Sequence, residues 1–162
     1  LDTCGMVSQS QFEKVLPHTD LVLFDLKLID SDAHRFHTGQ PNQQILSNLL
    51  FVCDFIQRSE HPLKLWIRTP LIPDATDHPD NLAAIGNFLA SELDGLVERW
   101  ELCAFNNLCR DKYRRLGIQW KYEATQLYTQ QELDDRYQWA IACPLPIEKI
   151  SITGAARVQV GG

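Results

Sequence analysis

Short hydrophobic runs recur along the chain and predict β-strands. Leu21-Val22-Leu23-Phe24 is a continuous apolar run, which is typical of a strand buried on both faces of a parallel sheet. Shorter patterns of the same kind predict strands over residues 63–67, 100–105 and 149–153. If Leu1-Asp2-Thr3 is the end of a further strand, the chain contains about five strand ends.

Amphipathic stretches lie between these runs and predict helices. Residues 42–58 carry apolar side chains at intervals of three to four positions, which predicts one buried helix face; that face consists of Ile45, Leu46, Leu49, Leu50, Cys53 and Ile56. A second helix is predicted to begin near Pro79, a favourable residue in a first helical turn. Its predicted inward side chains are Leu82, Ile85, Leu89 and Leu93. Ser8 with Gln11, and Thr129 with Glu132, have the spacing of capping boxes that open further helices.

The alternation of strands and helices predicts an α/β fold with a parallel sheet. About five strands are fewer than the eight of a closed β/α barrel of roughly 250 residues. We therefore expect residues 1–162 to form a single domain that is a partial, open parallel β/α barrel of the TIM type, with its N-terminal strands missing. The chain opens at Leu1 and has its only methionine at Met6, so we expect it to be part of a longer protein.

The composition narrows the classes of function. A net charge of −6 and a pI near 5.3 argue against a nucleic-acid partner, because such binding depends on clustered basic side chains; residues 110–115 are a short basic exception. No apolar run approaches the roughly 20 residues that span a bilayer, and no leader of the secretory type opens the chain. We expect a cytoplasmic protein without a membrane partner.

The five cysteines are odd in number and widely spread, which favours reduced thiols over a disulfide framework. Cys103 and Cys109 are close in sequence, but their spacing is poor for a metal site. His34 and His37 lie three residues apart on a predicted short helix. Without a third ligand, they are interpreted as structural residues, and no metal site is predicted.

Polar side chains lie at the ends of the first four predicted strands. Asp2-Thr3 ends the first, Asp25 and Lys27 follow the second, Arg68 follows the third, and Asn106 follows the fourth. In β/α folds the carboxyl ends of strands carry the functional groups, so this rim suits a zwitterionic or anionic small molecule. The alternative is that these side chains reach solvent or pair with one another.

Four segments in order along the chain resemble one enzyme family. Leu1-Asp2-Thr3-Cys4-Gly5 is similar to the motif L-D-T-x-G, and Asp25-Leu26-Lys27 is followed by Asp30, His34, Thr38-Gly39 and Asn42. Residues 66–73 resemble I-R-x-P-x-I-P, although Asp74-Ala75-Thr76-Asp77 replaces the usual Gly-x-Asn-Asp. Residues 105–113 resemble P-F-[HN]-x-L…K-[YW], with Ala104 for the usual proline. These motifs resemble the glycyl-radical-enzyme activating enzymes, of the radical-SAM class, over residues 1 to 117.

The resemblance implies reductive cleavage of S-adenosylmethionine by a [4Fe-4S] cluster, and hydrogen abstraction from a glycine of a partner glycyl-radical enzyme. An electron donor such as flavodoxin or ferredoxin is the second implied partner. By likeness, Lys27 contacts the methionyl carboxylate, Asp2 and Asp25 lie beside it with a monovalent cation as a candidate ligand, and Arg68 and Asn106 lie near the ribose and adenine. No catalytic side chain is assigned to this chain.

The cluster motif of the family, C-x-x-x-C-x-x-C, does not occur in this sequence, and three thiolates are needed to hold such a cluster with one iron open. We therefore expect the chain alone to be inactive, with the cluster ligands in a longer natural protein. One alternative is a non-catalytic module that docks on a glycyl-radical enzyme. Another is a barrel enzyme in which Lys27 forms a Schiff base, which Asp2 and Asp25 disfavour because carboxylates stabilise the ammonium form.

Overall fold

The computed structural model describes residues 1–93 and 95–158, in which five parallel strands alternate with helices. The strands are β1 (Asp2–Thr3), β2 (Leu21–Asp25), β3 (Lys64–Leu71), β4 (Val97–Ala104) and β5 (Ile150–Thr153). The helices are α1 (Gln9–Val15), α2 (Ser31–Thr38), α3 (Gln43–Arg58), α4 (Pro79–Glu92), α5 (Cys109–Arg115) and α6 (Gln130–Ile141). No helix in this part of the chain is both long and apolar enough to span a membrane.

The five strands form one sheet in sequential order, β1-β2-β3-β4-β5, and every pairing is parallel. This confirms the predicted α/β class and the predicted number of strands. In β/α barrels, strands that are consecutive in sequence are also neighbours in the sheet and are connected by helices. Right-handed crossovers then place all these helices on one face of the sheet. The open partial barrel remains a prediction.

The core lies between one face of the sheet and the helices. Alternate strand residues point to this face, and Val22, Phe24, Leu65, Ile67, Trp100 and Leu102 are fully buried there. Leu82, Ile85, Leu89 and Leu93 of the α4 segment are also fully buried, as the sequence pattern predicts. Each such side chain contributes about 1.5–3 kcal/mol relative to an exposed position.

The predicted buried face of α3 is wrong at three positions. Leu50 is 41% exposed, whereas Asn48 and Val52 are fully buried. The Asn48 Nδ2 donates hydrogen bonds to the carbonyl oxygens of Gly5 (2.7 Å) and Val7 (2.8 Å). A polar residue therefore occupies the core side of the helix because it satisfies the backbone of the loop that follows β1.

The helix openings agree only in part with the capping signals. Thr129 and Glu132 form the complete capping box of α6. Ser8 does precede α1, but its side chain accepts no capping hydrogen bond, so the predicted box with Gln11 is wrong in its contacts.

Candidate functional site

The face of the sheet opposite the helices carries charged side chains in register. Asp25 of β2 lies beside Arg68 of β3, which lies beside Glu101 of β4. Alternation along a strand sends these residues to the face opposite Phe24 and Ile67. The pairing of parallel strands therefore brings together groups that are 43 residues apart in sequence.

Asp2, Asp25, Lys27 and Arg68 form one chain of ion pairs, which we call the charged cluster. Arg68 donates to Asp25 through Nε (3.0 Å) and Nη2 (2.8 Å), and its Nη2 also contacts Asp2. Lys27 Nζ lies 3.2 Å from the second oxygen of Asp25. Four of the five residues predicted for the site are thus in contact, and Asp25 joins the two cations.

Electrostatics in the charged cluster hold Arg68 as a cation. Burial lowers the pKa of its guanidinium, but hydrogen bonds and charges of Asp25 and Asp2 outweigh burial and raise the pKa above its ordinary value. The guanidinium already contacts both carboxylates, as a monovalent cation beside Asp2 and Asp25 would. The predicted cation site remains untested.

Arg68 does not end its strand as predicted, because β3 continues to Leu71 and pairs with β4 as far as Ala104. The predicted strand covers residues 63–67 and stops before Arg68. The proline is accommodated since the pairing of β2 with β3 ends at Asp25 and Arg68, so the missing N–H of Pro70 leaves no strand partner unpaired on that side.

A cavity of about 440 Å³ opens beside the charged cluster. Asp25, Lys27 and Asn106 line it, whereas Asp2 and Arg68 join it only through Asp25. The side chains of Lys27 and Asp25 are 29% and 25% exposed, so they are accessible without being fully hydrated. The volume lies within the range of about 300–1,000 Å³ typical of small-molecule sites.

The backbone that carries Lys27 is fixed by two asparagines. Asn81 of α4 donates from Nδ2 to the carbonyl oxygens of Lys27 (3.0 Å) and Thr76 (2.8 Å). Asn42 is buried and donates to the carbonyl oxygens of Leu28 (3.0 Å) and Ile29 (2.7 Å). The motif of the sequence analysis includes Asn42 but not Asn81. The sequence signal for Asn81 was an amide side chain near the start of the helix predicted from Pro79.

The loop after β1 needs glycine at its motif position. Gly5 has φ of +72°, and a Cβ at this position would lie 2.3 Å from the Phe24 ring. Both the left-handed backbone and the close approach exclude a larger residue. Asn48 holds the same loop, so Asp2 is placed by buried contacts as well as by its strand.

The two histidines of α2 have different surroundings. His34 is buried, and its Nδ1 lies 2.6 Å from the Gln40 carbonyl oxygen and 3.0 Å from Thr38 Oγ1. His37 lines the cavity, and burial, followed by the charge of Lys121, lowers its pKa. Within residues 1–93 and 95–158 no three His, Cys, Asp or Glu side chains are grouped as metal ligands.

The cysteines in the described part of the chain are separate free thiols. Cys103 and Cys109 both line the cavity, and burial, followed by the charge of Glu101, raises the pKa of Cys103 to about 11. The Cys103 thiol is therefore protonated near neutral pH.

Sequence reasoning missed two aromatic residues that complete the cavity. Trp120 and Tyr122 line it next to Phe105, yet they follow the segment that resembles the family. The available signal was the density of aromatic residues, since Tyr113, Trp120 and Tyr122 lie within ten positions.

Fold and site together define a parallel α/β protein with a charged cavity at the carboxyl edge of its sheet. No protein-family model matches the chain. It is 38% identical over 115 residues to the pyruvate formate-lyase-activating enzyme of Staphylococcus aureus strain USA300, an alignment that covers 71% of this chain and 43% of the relative. The enzyme of strain NCTC 8325 gives the same values.

The chain belongs to the family of the pyruvate formate-lyase-activating enzymes, as its motifs predict, and the alignment spans less than half the length of these relatives. A crystal structure of a domain of pyruvate-formate lyase-activating enzyme from Bacteroides vulgatus ATCC 8482 has a similar fold. Its TM-score is 0.67 at 22% identity, with 94% of this chain and 79% of that chain covered. This second likeness concerns the fold alone.

Proposed function

We propose that residues 1–162 form the part of a glycyl-radical-enzyme activating enzyme that binds S-adenosylmethionine. The observation that carries this proposal is the cavity in which Lys27 and Asp25 meet Asn106. The domain is proposed to be one unit, an open partial β/α barrel of the radical-SAM type, in a protein of the cytoplasm.

The donor set fits S-adenosylmethionine. Lys27 uses one contact on Asp25, and an ammonium group has three donors, so Lys27 can also bind the methionyl carboxylate. Asp25 offers oxygens to the methionyl ammonium or to a cation, while the Asn106 amide suits a purine edge. Asp2 and Arg68 then act through Asp25, by fixing its carboxylate.

The described cysteines do not fit an iron–sulfur cluster, because such a cluster needs three converging thiolates and residues 1–93 and 95–158 offer no such group. No step is therefore derived through a cluster on these residues. In the proposed whole enzyme a [4Fe-4S] cluster, held by ligands from outside this chain, would supply the electron for cleavage of S-adenosylmethionine. A glycyl-radical enzyme is the proposed partner, and flavodoxin or ferredoxin the proposed electron donor.

Two other functions make different use of the same cavity. A docking module without catalysis is favoured by the missing thiolate group in the described residues, and it needs no S-adenosylmethionine. A Schiff-base enzyme needs a free amine at Lys27, whereas Nζ lies 3.2 Å from the carboxylate of Asp25 and forms an ion pair with it.

Titration calorimetry of the 162-residue chain with S-adenosylmethionine tests the proposal. We expect binding at millimolar ligand, weakened about tenfold or more in Lys27→Ala, because a hydrogen bond to a charged group contributes about 1.5–3 kcal/mol. Lys14→Ala, on the exposed surface of α1, is the matched control and should bind normally. Equal affinity in Lys27→Ala and the unmodified chain would remove Lys27 from the site.

A further inference from the structure

Four aromatic rings form a continuous group beside the cavity, which we call the aromatic wall: Phe105, Tyr113, Trp120 and Tyr122. The ring centroids of Phe105 and Trp120 are 6.0 Å apart, and those of Tyr113 and Trp120 are 5.6 Å apart. Tyr122 lies 5.9 Å from Phe105 and 6.2 Å from Trp120. The wall therefore joins the end of β4 to the segment after α5.

The rings differ in how their faces are used. Trp120 is nearly parallel to Phe105 and to Tyr113, with interplanar angles of 23° and 21°. Tyr122 is steeply inclined to its neighbours, at 58° to Phe105 and 72° to Trp120. Neither of these two rings is stacked on Tyr122. Lys121 Nζ lies over one face of Tyr122, 5.3 Å from the ring centroid, and the half-buried Tyr122 side chain lines the cavity.

The cavity thus has two chemically different sides. Lys27 and Asp25 provide charge where β2 ends, and Phe105, Trp120 and Tyr122 of the aromatic wall provide apolar surface. Asn106, which is exposed and lines the same cavity, lies one residue after Phe105 in the chain. A ligand with a zwitterionic end and a planar heteroaromatic end matches both sides. The charged side chains suit the zwitterionic end, and aromatic side chains stack on the planar rings of nucleobases.

We propose that Tyr122 is the residue on which the adenine ring of S-adenosylmethionine stacks, with Trp120 as the support that orients it. This inference rests on the function proposed above and deepens it. It assigns a binding role to a segment that lies beyond the motifs of the family resemblance. Tyr122 is then a specificity residue for the base, while Lys27 serves the methionyl end.

The test measures the affinity of the 162-residue chain for three probes: S-adenosylmethionine, adenosine and methionine. Tyr122→Leu keeps apolar volume but removes the ring, and should weaken binding of S-adenosylmethionine and adenosine about fivefold or more while leaving methionine unchanged. Tyr122→Phe keeps the ring and should retain both affinities. Far-UV circular dichroism verifies that each variant is folded.

Phe36→Ala is the matched control, because Phe36 is 81% exposed and lines a neighbouring pocket with Tyr122 but not the larger cavity. It should bind all three probes normally. Lys27→Ala should weaken binding of S-adenosylmethionine and methionine but not of adenosine.

The possible results separate the two proposals. If the unmodified chain binds none of the probes at millimolar concentration, the proposed function and the role of Tyr122 are both wrong. If S-adenosylmethionine binds and depends on Lys27, but folded Tyr122→Leu binds adenosine as tightly as the unmodified chain, only the stacking role is overturned. An equal loss for methionine and adenosine in Tyr122→Leu also contradicts stacking, since it indicates a general disturbance of the cavity.

Discussion

Asp77 connects the cavity wall to α6, and its removal gives the sharpest prediction for stability. Its Oδ2 accepts hydrogen bonds from the Tyr128 hydroxyl (2.8 Å) and from Arg136 Nη2 (2.8 Å), and its Oδ1 accepts from the Asp74 N–H (3.1 Å). The Asp77 side chain is 6% exposed and that of Arg136 17%. Ala75 and Thr76, the residues just before Asp77, line the cavity.

The size of the expected loss of stability follows from the groups that remain without partners after the substitution. Asp77→Ala leaves the Arg136 guanidinium without its carboxylate and the buried Tyr128 hydroxyl without an acceptor. Breaking a buried ion pair costs about 3–5 kcal/mol. Since Arg136 retains some solvent and a hydrogen bond to the Glu132 carbonyl oxygen (3.1 Å), we expect the lower end, about 3 kcal/mol of unfolding free energy.

Urea denaturation followed by circular dichroism measures this loss, and a double-mutant cycle assigns it. Asp77→Ala and Arg136→Met should each be destabilising, while the double variant should be more stable than their summed effects by at least about 1.5 kcal/mol. Asp54→Ala is the control, because it breaks an exposed ion pair with Arg58 on α3 and should cost less than about 1 kcal/mol. Strict additivity at Asp77 and Arg136, or a loss for Asp77→Ala no larger than the control, would refute this account of the network.

Two further predictions concern buried groups of α3. Asn48→Ala should destabilise the chain by about 2 kcal/mol in urea denaturation, because two carbonyl oxygens lose their donor; a loss near zero would show that water replaces the amide. Burial raises the pKa of the Cys53 thiol from 9.0 to about 12, so the unfolded state loses this proton first as the pH rises. The contribution of the thiol to the free energy of unfolding therefore declines above pH 9, until the folded thiol also titrates. At pH 10 this lowers the free energy of unfolding by about 1.4 kcal/mol relative to pH 7. In urea denaturation at several pH values, Cys53→Ala should lack this part of the alkaline loss of stability. Identical pH profiles of stability for Cys53→Ala and the unmodified chain would contradict the assignment.

The fold was predictable because hydrophobic periodicity is a local signal. The apolar run at Leu21 and the stripe of α4 state which residues are buried without reference to the rest of the chain. The errors in the predicted elements occur where a residue distant in sequence determines burial or the end of a strand. Asn48 is buried because it bonds to the loop after β1, and β3 continues through Pro70 because β2 has already ended beside it.

The site was predictable to the extent that strand ends converge. Asp25 and Lys27 follow a recognisable strand, and parallel pairing then places them at one edge with Arg68. The convergence of strand ends does not specify which ion pairs form. The position of Arg68 between two carboxylates could therefore be seen only in the structure. Trp120 and Tyr122 reach the cavity from a segment with little regular structure, and no periodic pattern predicts the path of such a segment.

The most direct test of the proposed activity uses the natural polypeptide that contains these residues, prepared anaerobically and reconstituted with iron and sulfide. After reduction, we predict release of 5′-deoxyadenosine from S-adenosylmethionine, and a strong decrease of that release in Lys27→Ala but not in Lys14→Ala. A reconstituted protein that forms no cluster and releases no 5′-deoxyadenosine would contradict the activase and leave a non-catalytic module as the better account.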